Sequence, residues 1–289
     1  MLLLIFGATL AEKNKKQIVN IVVYSGIIIA LLAIYQYFFG FRHVSEYLTR
    51  HNITSDFTLD YIQRRRVFFP FVTPNILAGY LAMTIPLALL NRYKTFALLP
   101  LFLALFLTKS LGGLLSAFLA LSAYFYLKGK IEKRGIILLT SLLLIIGIVF
   151  GLRWITGKQH IHPIFSATMR LGYWQDTLKI IGSYPLTGVG LGNFNLPQAR
   201  YAHNSYLQLW AETGVLGITS FLWLIFVIFK GAILRLKNSS EIKQNAALLA
   251  ACSAFLAHNF IDFSFFLPEV SLIWWMLYGT CLATKERKE

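Results

Sequence analysis

The sequence predicts an all-α, polytopic integral membrane protein. We expect about eight full transmembrane helices, a short N-terminal helix, and a large outward-facing loop that contains an amphipathic helix. The 289 residues are 57% hydrophobic and only 13% charged, whereas charged residues make up roughly 25% of a typical soluble domain. Apolar stretches of about the length needed to cross a membrane recur along the chain, separated by basic segments. No repeat or linker divides the chain, so we predict a single transmembrane domain over residues 1–289.

The apolar stretches set the positions of the predicted helices. Met1–Leu10 is too short to cross about 30 Å of hydrocarbon, so it is predicted to be the short N-terminal helix, ending at a basic turn. The stretch 96–126 is interrupted by Thr108-Lys109-Ser110, and is interpreted as two short spans meeting at a polar turn, with one long kinked helix as the alternative. The full spans are predicted at residues 17–40, 74–90, two within 96–126, 135–151, 214–229, 245–263 and 268–284.

The positive charge indicates topology. The formal net charge of +15 is spread between apolar stretches rather than gathered in one polar domain, which argues against a nucleic-acid partner. Short loops rich in Lys and Arg mark the cytoplasmic side. Placing all of them inside puts two long polar segments outside, residues 41–73 and 152–211. Both outer segments are also basic. Either the preference of Lys and Arg for the cytoplasmic side does not apply to loops of this length, or the outer face binds an anion.

The outer loop 152–211 holds the helix that we predict to be amphipathic. Arg170, Trp174 and Ile181 recur at helical spacing together with Thr177, so Met169–Ser183 is predicted to form a helix that lies on the membrane surface. Pro185 should end it.

A run of alternating glycines follows, Gly188-Val-Gly190-Leu-Gly192-Asn193. Its spacing is not that of a dinucleotide-binding fingerprint, and a helix rather than a strand precedes it. The run is either a structural turn or a set of N–H groups directed at an anion.

His203 is the candidate general base of the loop. Ser205 and Gln208 match a capping box, which predicts that a helix begins at Ser205 and continues into the membrane. The positive end of that helix would keep the His203 imidazole neutral, the form that accepts a proton, with a pKa near 6.5. A lone histidine is more often structural, and that alternative stays open.

Three segments of the chain share a pattern with a known family. The first reads Arg170…Trp174…Pro185-Leu-Thr-Gly188-Val-Gly190-Leu-Gly192-Asn193-Phe194…His203-Asn204-Ser205-Tyr206-Leu207…Glu212-Thr-Gly214. The second reads Arg66-Val-Phe-Phe-Pro-Phe-Val-Thr-Pro74-Asn75-Ile-Leu-Ala78-Gly79-Tyr80-Leu81. The third reads His258-Asn259-Phe-Ile-Asp262. In this order they resemble the signature of the O-antigen ligase and O-antigen polymerase family of bacterial inner-membrane glycosyltransferases.

The resemblance implies a function and a location. Such enzymes move a glycan from undecaprenyl diphosphate to an acceptor hydroxyl at the outer face of the inner membrane, as in lipopolysaccharide and other polysaccharide biosynthesis. We therefore expect a multi-pass inner-membrane protein whose main loop faces the periplasm or cell exterior. Its partners would be the lipid-linked glycan, a glycan, lipid or protein acceptor, and membrane lipids. Ligase and polymerase remain equal alternatives.

The resemblance also implies residue roles. His203 would deprotonate the acceptor and Arg170 would hold the diphosphate. Family members commonly carry arginine where this chain has Leu111. Either Lys109 or Arg66 supplies the missing charge here, or this member does not perform ligase chemistry. The substrate-binding residues are predicted to be Arg170, Arg66, Lys109, Asn204 and Glu212.

The expected chemistry uses no metal and no cofactor. Diphosphate leaves with growing charge that fixed arginines can stabilise, while one base activates the attacking hydroxyl. Single displacement would invert the anomeric carbon. Cys252 and Cys281 lie in apolar stretches and are predicted to be core residues rather than a disulfide or metal site. The alternative function is a transporter or channel for a small anion such as bicarbonate, which would use the basic outer face without needing His203 as a base.

Overall fold

The fold is all-α, as predicted. The computed structural model describes residues 2–51, 62, 64–129, 132–155, 165–236 and 241–282, and these contain helices and no strand. The helices are α1 (Leu2–Tyr35), α2 (Phe41–Arg50), α3 (Pro74–Ala88), α4 (Lys94–Leu107), α5 (Leu111–Lys128), α6 (Lys133–Ile155), α7 (Phe165–Ser183), α8 (Ser205–Leu236), α9 (Ile242–His258) and α10 (Pro268–Thr280).

Four stretches within the described residues are long and apolar enough to cross a membrane. They are Asn14–Arg50, Leu111–Lys128, Lys133–Ile155 and Ser205–Leu234. The helices Pro74–Ala88 and Lys94–Leu107 are apolar but shorter, and at 1.5 Å per residue they fall short of about 30 Å of hydrocarbon. The chain is thus a membrane protein by the length and composition of these helices, while the count of eight full spans stays a prediction.

The N-terminal region forms one long helical rod with two irregularities. The predicted basic turn is a kink at Asn14, whose φ/ψ of −125° and 20° is not helical. The helix does not stop at residue 40, where the sequence predicted its end, but passes through a π-helical turn, Gln36–Gly40, into α2. Gln36 is buried there, and its side-chain oxygen accepts hydrogen bonds from the backbone N–H groups of Phe68 and Phe69 at 2.8 and 3.0 Å. The π turn therefore fixes the segment that follows Arg66.

The centre of the fold is α3, which is buried on all sides. Every residue from Ile76 to Ala88 is buried, as expected for a helix without a polar face. It packs against α5 and α9, and small residues allow the close approach. A Cβ at Gly79 would lie 2.4 Å from Cδ2 of His258, so this helix contact requires glycine.

The polar turn at 108–110 separates two helices, so the alternative of one long kinked helix is wrong. Lys109 adopts a left-handed conformation with φ of 52°, and a helix cannot continue through it. Ser110 then caps α5, because its Oγ accepts a hydrogen bond from the N–H of Gly113 at 3.3 Å. The turn therefore ends one helix and starts the next within three residues.

A second break interrupts α8 at Gly214, where the sequence placed the start of a span. Its φ/ψ of 67° and −173° is outside the helical region, and a Cβ there would lie 2.0 Å from the carbonyl oxygen of Leu186. Only glycine fits this contact. The glycine-rich loop is tied to the break by a hydrogen bond from the N–H of Val215 to the carbonyl of Pro185 at 2.9 Å.

The outer helices present apolar side chains rather than polar ones. Leu144 on α6 and Trp223 on α8 are both 66% exposed, and most of the apolar windows of α6 and α8 face away from the rest of the fold. Such large exposed apolar surfaces are typical of contact with lipid. Cys252 and Cys281 are buried and free, in agreement with the prediction that they are core residues.

Candidate functional site

Helix α7 presents the predicted face to the rest of the protein. It begins at Phe165, four residues before the predicted start, and ends at Ser183, just before Pro185 as predicted. Thr177 and Ile181 are buried, and Arg170 and Trp174 line a cavity on the same side. The helical spacing of these four residues therefore indicated a real shared face.

The cavity beside α7 is basic. Its volume is about 360 Å³, and four arginines line it: Arg64, Arg66, Arg153 and Arg170. Among the described residues that line it, none is Asp or Glu. A concave site lined by four guanidinium groups and by no carboxylate of the described residues favours an anion.

Arg66 is held in place by the turn at 108–110 and the start of α3. Its Nε donates to the carbonyl oxygen of Thr108 at 3.0 Å, and its Nη2 donates to Oδ1 of Asn75 at 3.1 Å. The same Asn75 oxygen accepts a hydrogen bond from the Ser110 hydroxyl at 3.0 Å. Arg66 is 9% exposed, so its charge is fixed in position by buried partners before any ligand binds.

Lys109 is placed differently from the arginines. Its Nζ donates to the carbonyl oxygen of Arg64 at 2.5 Å, and its side chain is not part of the cavity lining, whereas that of Leu111 is. Burial, and then the positive charges of Arg66 and other neighbouring arginines, lower the pKa of Lys109. Of the two substitutes that the sequence offered for an arginine at 111, the structure brings Arg66 into the cavity.

Arg153 is a cavity residue that the sequence reasoning did not assign to the site. It lies in the last turn of α6, and its Nη2 donates to the backbone carbonyl of Lys109. A basic residue at the outer end of a predicted span was the available signal, but nothing in the sequence indicated which way that end of the helix faces.

His203 contacts α7 but does not line the cavity. Its ring stacks on Tyr173 at 5.7 Å between centroids and meets the edge of Phe263 at 4.9 Å. Its φ is 51°, in the left-handed region. The buried Nδ1 atom has no hydrogen-bond partner among the residues that the structure describes.

The imidazole of His203 is neutral, but not for the reason that the sequence suggested. Burial lowers its pKa to about 4; Asp262 opposes this change and Arg170 adds to it. The expected pKa near 6.5, with a helix end as the cause of neutrality, is therefore wrong, because removal of water from the ring dominates.

Helix α8 begins at Ser205 as predicted, but Ser205 is not the residue that caps it. The cap of α8 is Asn204, whose Oδ1 accepts hydrogen bonds from the N–H groups of Tyr206 and Leu207 at 3.0 and 3.1 Å. Ser205 instead donates from its hydroxyl to Oδ1 of Asn259 at 2.6 Å. A tertiary contact takes the hydroxyl that the local pattern assigned to the helix end.

Glu212 closes the glycine-rich loop. Its Oε2 accepts a hydrogen bond from the N–H of Gly192 at 3.2 Å, and its Oε1 accepts one from Nε2 of Gln208 at 3.0 Å. The N–H of Gly190 donates to the backbone carbonyl of Glu212 at 3.0 Å. These contacts favour the structural-turn interpretation, since amide groups of the loop point at this carboxylate and backbone.

Asn204 and Glu212 are therefore not among the residues that line the cavity. Both are buried, and their hydrogen bonds hold the loop that carries His203. Of the six predicted site residues, the structure brings only Arg66 and Arg170 together in the cavity.

The third motif connects the cavity to the His203 loop. His258 also lines the cavity, and its Nε2 lies 3.0 Å from both Oδ2 of Asp262 and the carbonyl oxygen of Asn75. The backbone carbonyl of Asp262 accepts a hydrogen bond from the N–H of Ser205 at 3.1 Å. A continuous chain of polar contacts thus runs from Arg66 through Asn75, His258 and Asp262 to the start of α8.

Within the part of the chain that the structure describes, no three His, Cys, Asp or Glu side chains are grouped so that they could hold a metal ion. The polar groups that line the cavity are four guanidinium groups, an indole, two serine hydroxyls, an amide and an imidazole. Guanidinium and indole N–H groups donate hydrogen bonds and accept none, so they favour an anion.

Comparison with known protein families gives a match over the middle of the chain. Residues 96–222 match the family model described as O-Antigen ligase. No curated protein and no solved structure shows significant similarity to the chain. The matched residues, somewhat less than half of the chain, run from the start of α4 into α8 and include Arg153, Arg170 and His203.

Proposed function

From the premise that this match supports an O-antigen ligase-like family and a ligase- or polymerase-type function in general, we propose that the protein is a glycosyltransferase. It moves a glycan from undecaprenyl diphosphate to the hydroxyl of a glycan, lipid or protein acceptor at the outer face of the inner membrane. The observation that carries this proposal is the arginine-lined cavity beside α7. Tyr173 of the same helix stacks on His203.

The arginines bind and stabilise the leaving group. Arg66 is held by Thr108 and Asn75, and Nη1 of Arg170 donates to the Ser166 hydroxyl at 2.5 Å. Both guanidinium groups are thus oriented by the protein. Charge that builds up on a departing diphosphate is stabilised most by donors that need no reorganisation.

His203 is the base in this proposal. The acceptor oxygen forms a bond to the anomeric carbon while the bond from that carbon to the diphosphate oxygen breaks, and the diphosphate leaves with the electron pair. The acceptor proton passes to the imidazole, whose buried Nδ1 atom has a free acceptor position when that nitrogen is unprotonated. A pKa of about 4 makes the ring a weak base. Proton transfer is therefore expected to accompany formation of the new bond, when the hydroxyl has become acidic.

Helix α7 brings the anion-binding arginines and the proposed base close together. Arg170 points into the cavity, and Tyr173, one helical turn further on, stacks on His203. A donor whose diphosphate occupies the cavity would thus place its sugar near the His203 loop. Asn204, Glu212 and Lys109 contribute by holding the loops in place through their hydrogen bonds.

The location follows from the same proposal. The loop 152–211 faces the periplasm or cell exterior, where lipid-linked glycans are transferred. The comparison does not favour transport of a small anion such as bicarbonate.

The test is transfer by the purified full-length protein in lipid nanodiscs, with an undecaprenyl-diphosphate-linked glycan and a hydroxyl acceptor. His203→Ala should abolish product formation while the protein stays folded, because this imidazole is the proposed base and stacks on Tyr173 of α7. His51→Ala is the matched control, since that exposed histidine ends α2 and contacts Tyr47. Normal transfer by His203→Ala would remove the base from the mechanism. The length of the glycan added, one unit or many, separates ligase from polymerase.

A further inference from the structure

The cavity contains a hydrogen-bond donor that the proposed function has not used. Trp174 lines the cavity one turn beyond Arg170, and its indole Nε1 is buried without a hydrogen-bond partner among the described residues. An indole N–H can only donate. A buried donor left unsatisfied is unfavourable, so its presence here indicates that an acceptor from outside the chain occupies the position.

Arg153 reaches the same cavity from a different element. It stands in the last turn of α6, and its contact with the Lys109 carbonyl holds it against the turn that also carries Ser110 and Leu111. Arg66 enters from the segment before α3, and Arg170 with Trp174 enters from α7. Cationic and neutral donors therefore surround the cavity from three sides.

The number of donors exceeds what a single phosphate group uses. A guanidinium group binds a phosphate best through two parallel hydrogen bonds to two oxygens. Four guanidinium groups and an indole line the cavity, whereas a phosphate monoester has three terminal oxygens. A diphosphate ester offers more oxygens and more negative charge. A volume of about 360 Å³ is at the small end for ligand sites, which suits a headgroup rather than a whole lipid or glycan.

On the basis of the proposed function, we infer that Trp174 and Arg153 are further ligands of the donor's diphosphate and determine the selection of a diphosphate headgroup. The Trp174 indole N–H donates to a phosphate oxygen, and Arg153 holds the phosphate group opposite Arg170. The enzyme then selects a diphosphate lipid over a monophosphate lipid by the donors of this cavity, independently of its base.

The test is calorimetric binding of inorganic pyrophosphate and of inorganic phosphate to the full-length protein in nanodiscs. Trp174→Phe keeps the ring and removes the N–H, and should weaken pyrophosphate binding about tenfold or more, as expected for a lost hydrogen bond to a charged group. Trp223→Phe is the control, because that side chain is 66% exposed on α8. Arg153→Gln should weaken binding at least as much, while Arg134→Gln, exposed at the other end of α6, should not.

Two results would overturn the inference: pyrophosphate binding by Trp174→Phe equal to that of the unaltered protein, or equal affinity of the unaltered protein for phosphate and pyrophosphate. Transfer activity measured on the same preparations separates this inference from the proposed function. Pyrophosphate binding that depends on Trp174, in a protein that transfers no glycan, would sink the transferase proposal and leave the binding site standing. Normal transfer by Trp174→Phe and Arg153→Gln would instead remove these two residues from the binding site and leave the transferase proposal standing.

Discussion

The stability of the protein should depend on His203 below neutral pH. Burial lowers the pKa of this imidazole from 6.5 to about 4, so between these values the unfolded chain binds a proton that the folded protein does not. Its contribution to stability is fully present above the unfolded pKa and is lost as the pH falls toward the folded pKa. Over the whole window the free energy of unfolding changes by about 3 kcal/mol, since each pH unit between the two pKa values contributes roughly 1.4 kcal/mol.

The measurement compares the unaltered protein with His203→Gln, which carries no titratable group at this position. The free energy of unfolding would be determined by denaturant titration in detergent micelles at about pH 7.5 and about pH 4.5. The difference between the two proteins should change by about 2 to 3 kcal/mol between these conditions, to the disadvantage of the unaltered protein. All other histidines are common to both proteins and cancel. A difference that stays constant with pH would show that His203 titrates normally, and would refute burial as the cause of its neutrality.

Three further outcomes are expected. Arg170→Lys should lower the transfer rate about 100-fold or more, because an ammonium cannot make the paired hydrogen bonds of a guanidinium; Lys179→Arg on the exposed face of α7 is the control, and an unchanged rate in Arg170→Lys would reassign Arg170 to structure. Gly79→Ala should destabilise the protein by about 1 to 3 kcal/mol through overpacking against His258, outweighing the roughly 1 kcal/mol that alanine gains in a helix. Gly147→Ala on α6, where a Cβ meets nothing within 4 Å, should be neutral or stabilising, and equal melting temperatures of the two variants would contradict the packing. In intact cells, an impermeant thiol reagent should modify Leu178→Cys and spare Arg134→Cys, because the basic residues near Arg134 mark the cytoplasmic side; the opposite pattern would reverse the orientation.

The sequence alone determined the features that local patterns control. Hydrophobic stretches located the helices, the polar residues at 108–110 separated two of them, and the spacing of Arg170, Trp174 and Ile181 identified the inward face of α7. Each depends on side chains within a few turns of one another, and so on periodicities that can be read directly from the chain.

The residues of the site were only partly predictable for the same reason. Arg66 and Arg170 belong to recognisable motifs, but Arg153 enters the cavity because α6 ends against the turn at 109, a contact between residues far apart in the chain. Ser205 looked like a helix cap, but its hydroxyl binds Asn259 and Asn204 caps the helix instead. No local pattern indicates which distant partner will compete for a polar group.

What the sequence determined by itself is therefore an all-α membrane protein with a long basic segment between predicted spans, a candidate base and candidate anion-binding arginines. The tertiary structure decided which of these groups meet. It gathered four arginines and Trp174 around one cavity, buried much of the His203 ring, and placed the Glu212 carboxylate against the N–H of Gly192 in the glycine-rich loop. The physical reason is that charge, burial and hydrogen-bond satisfaction depend on what surrounds a side chain in space, and in this protein those neighbours come from helices separated along the chain by membrane-length segments.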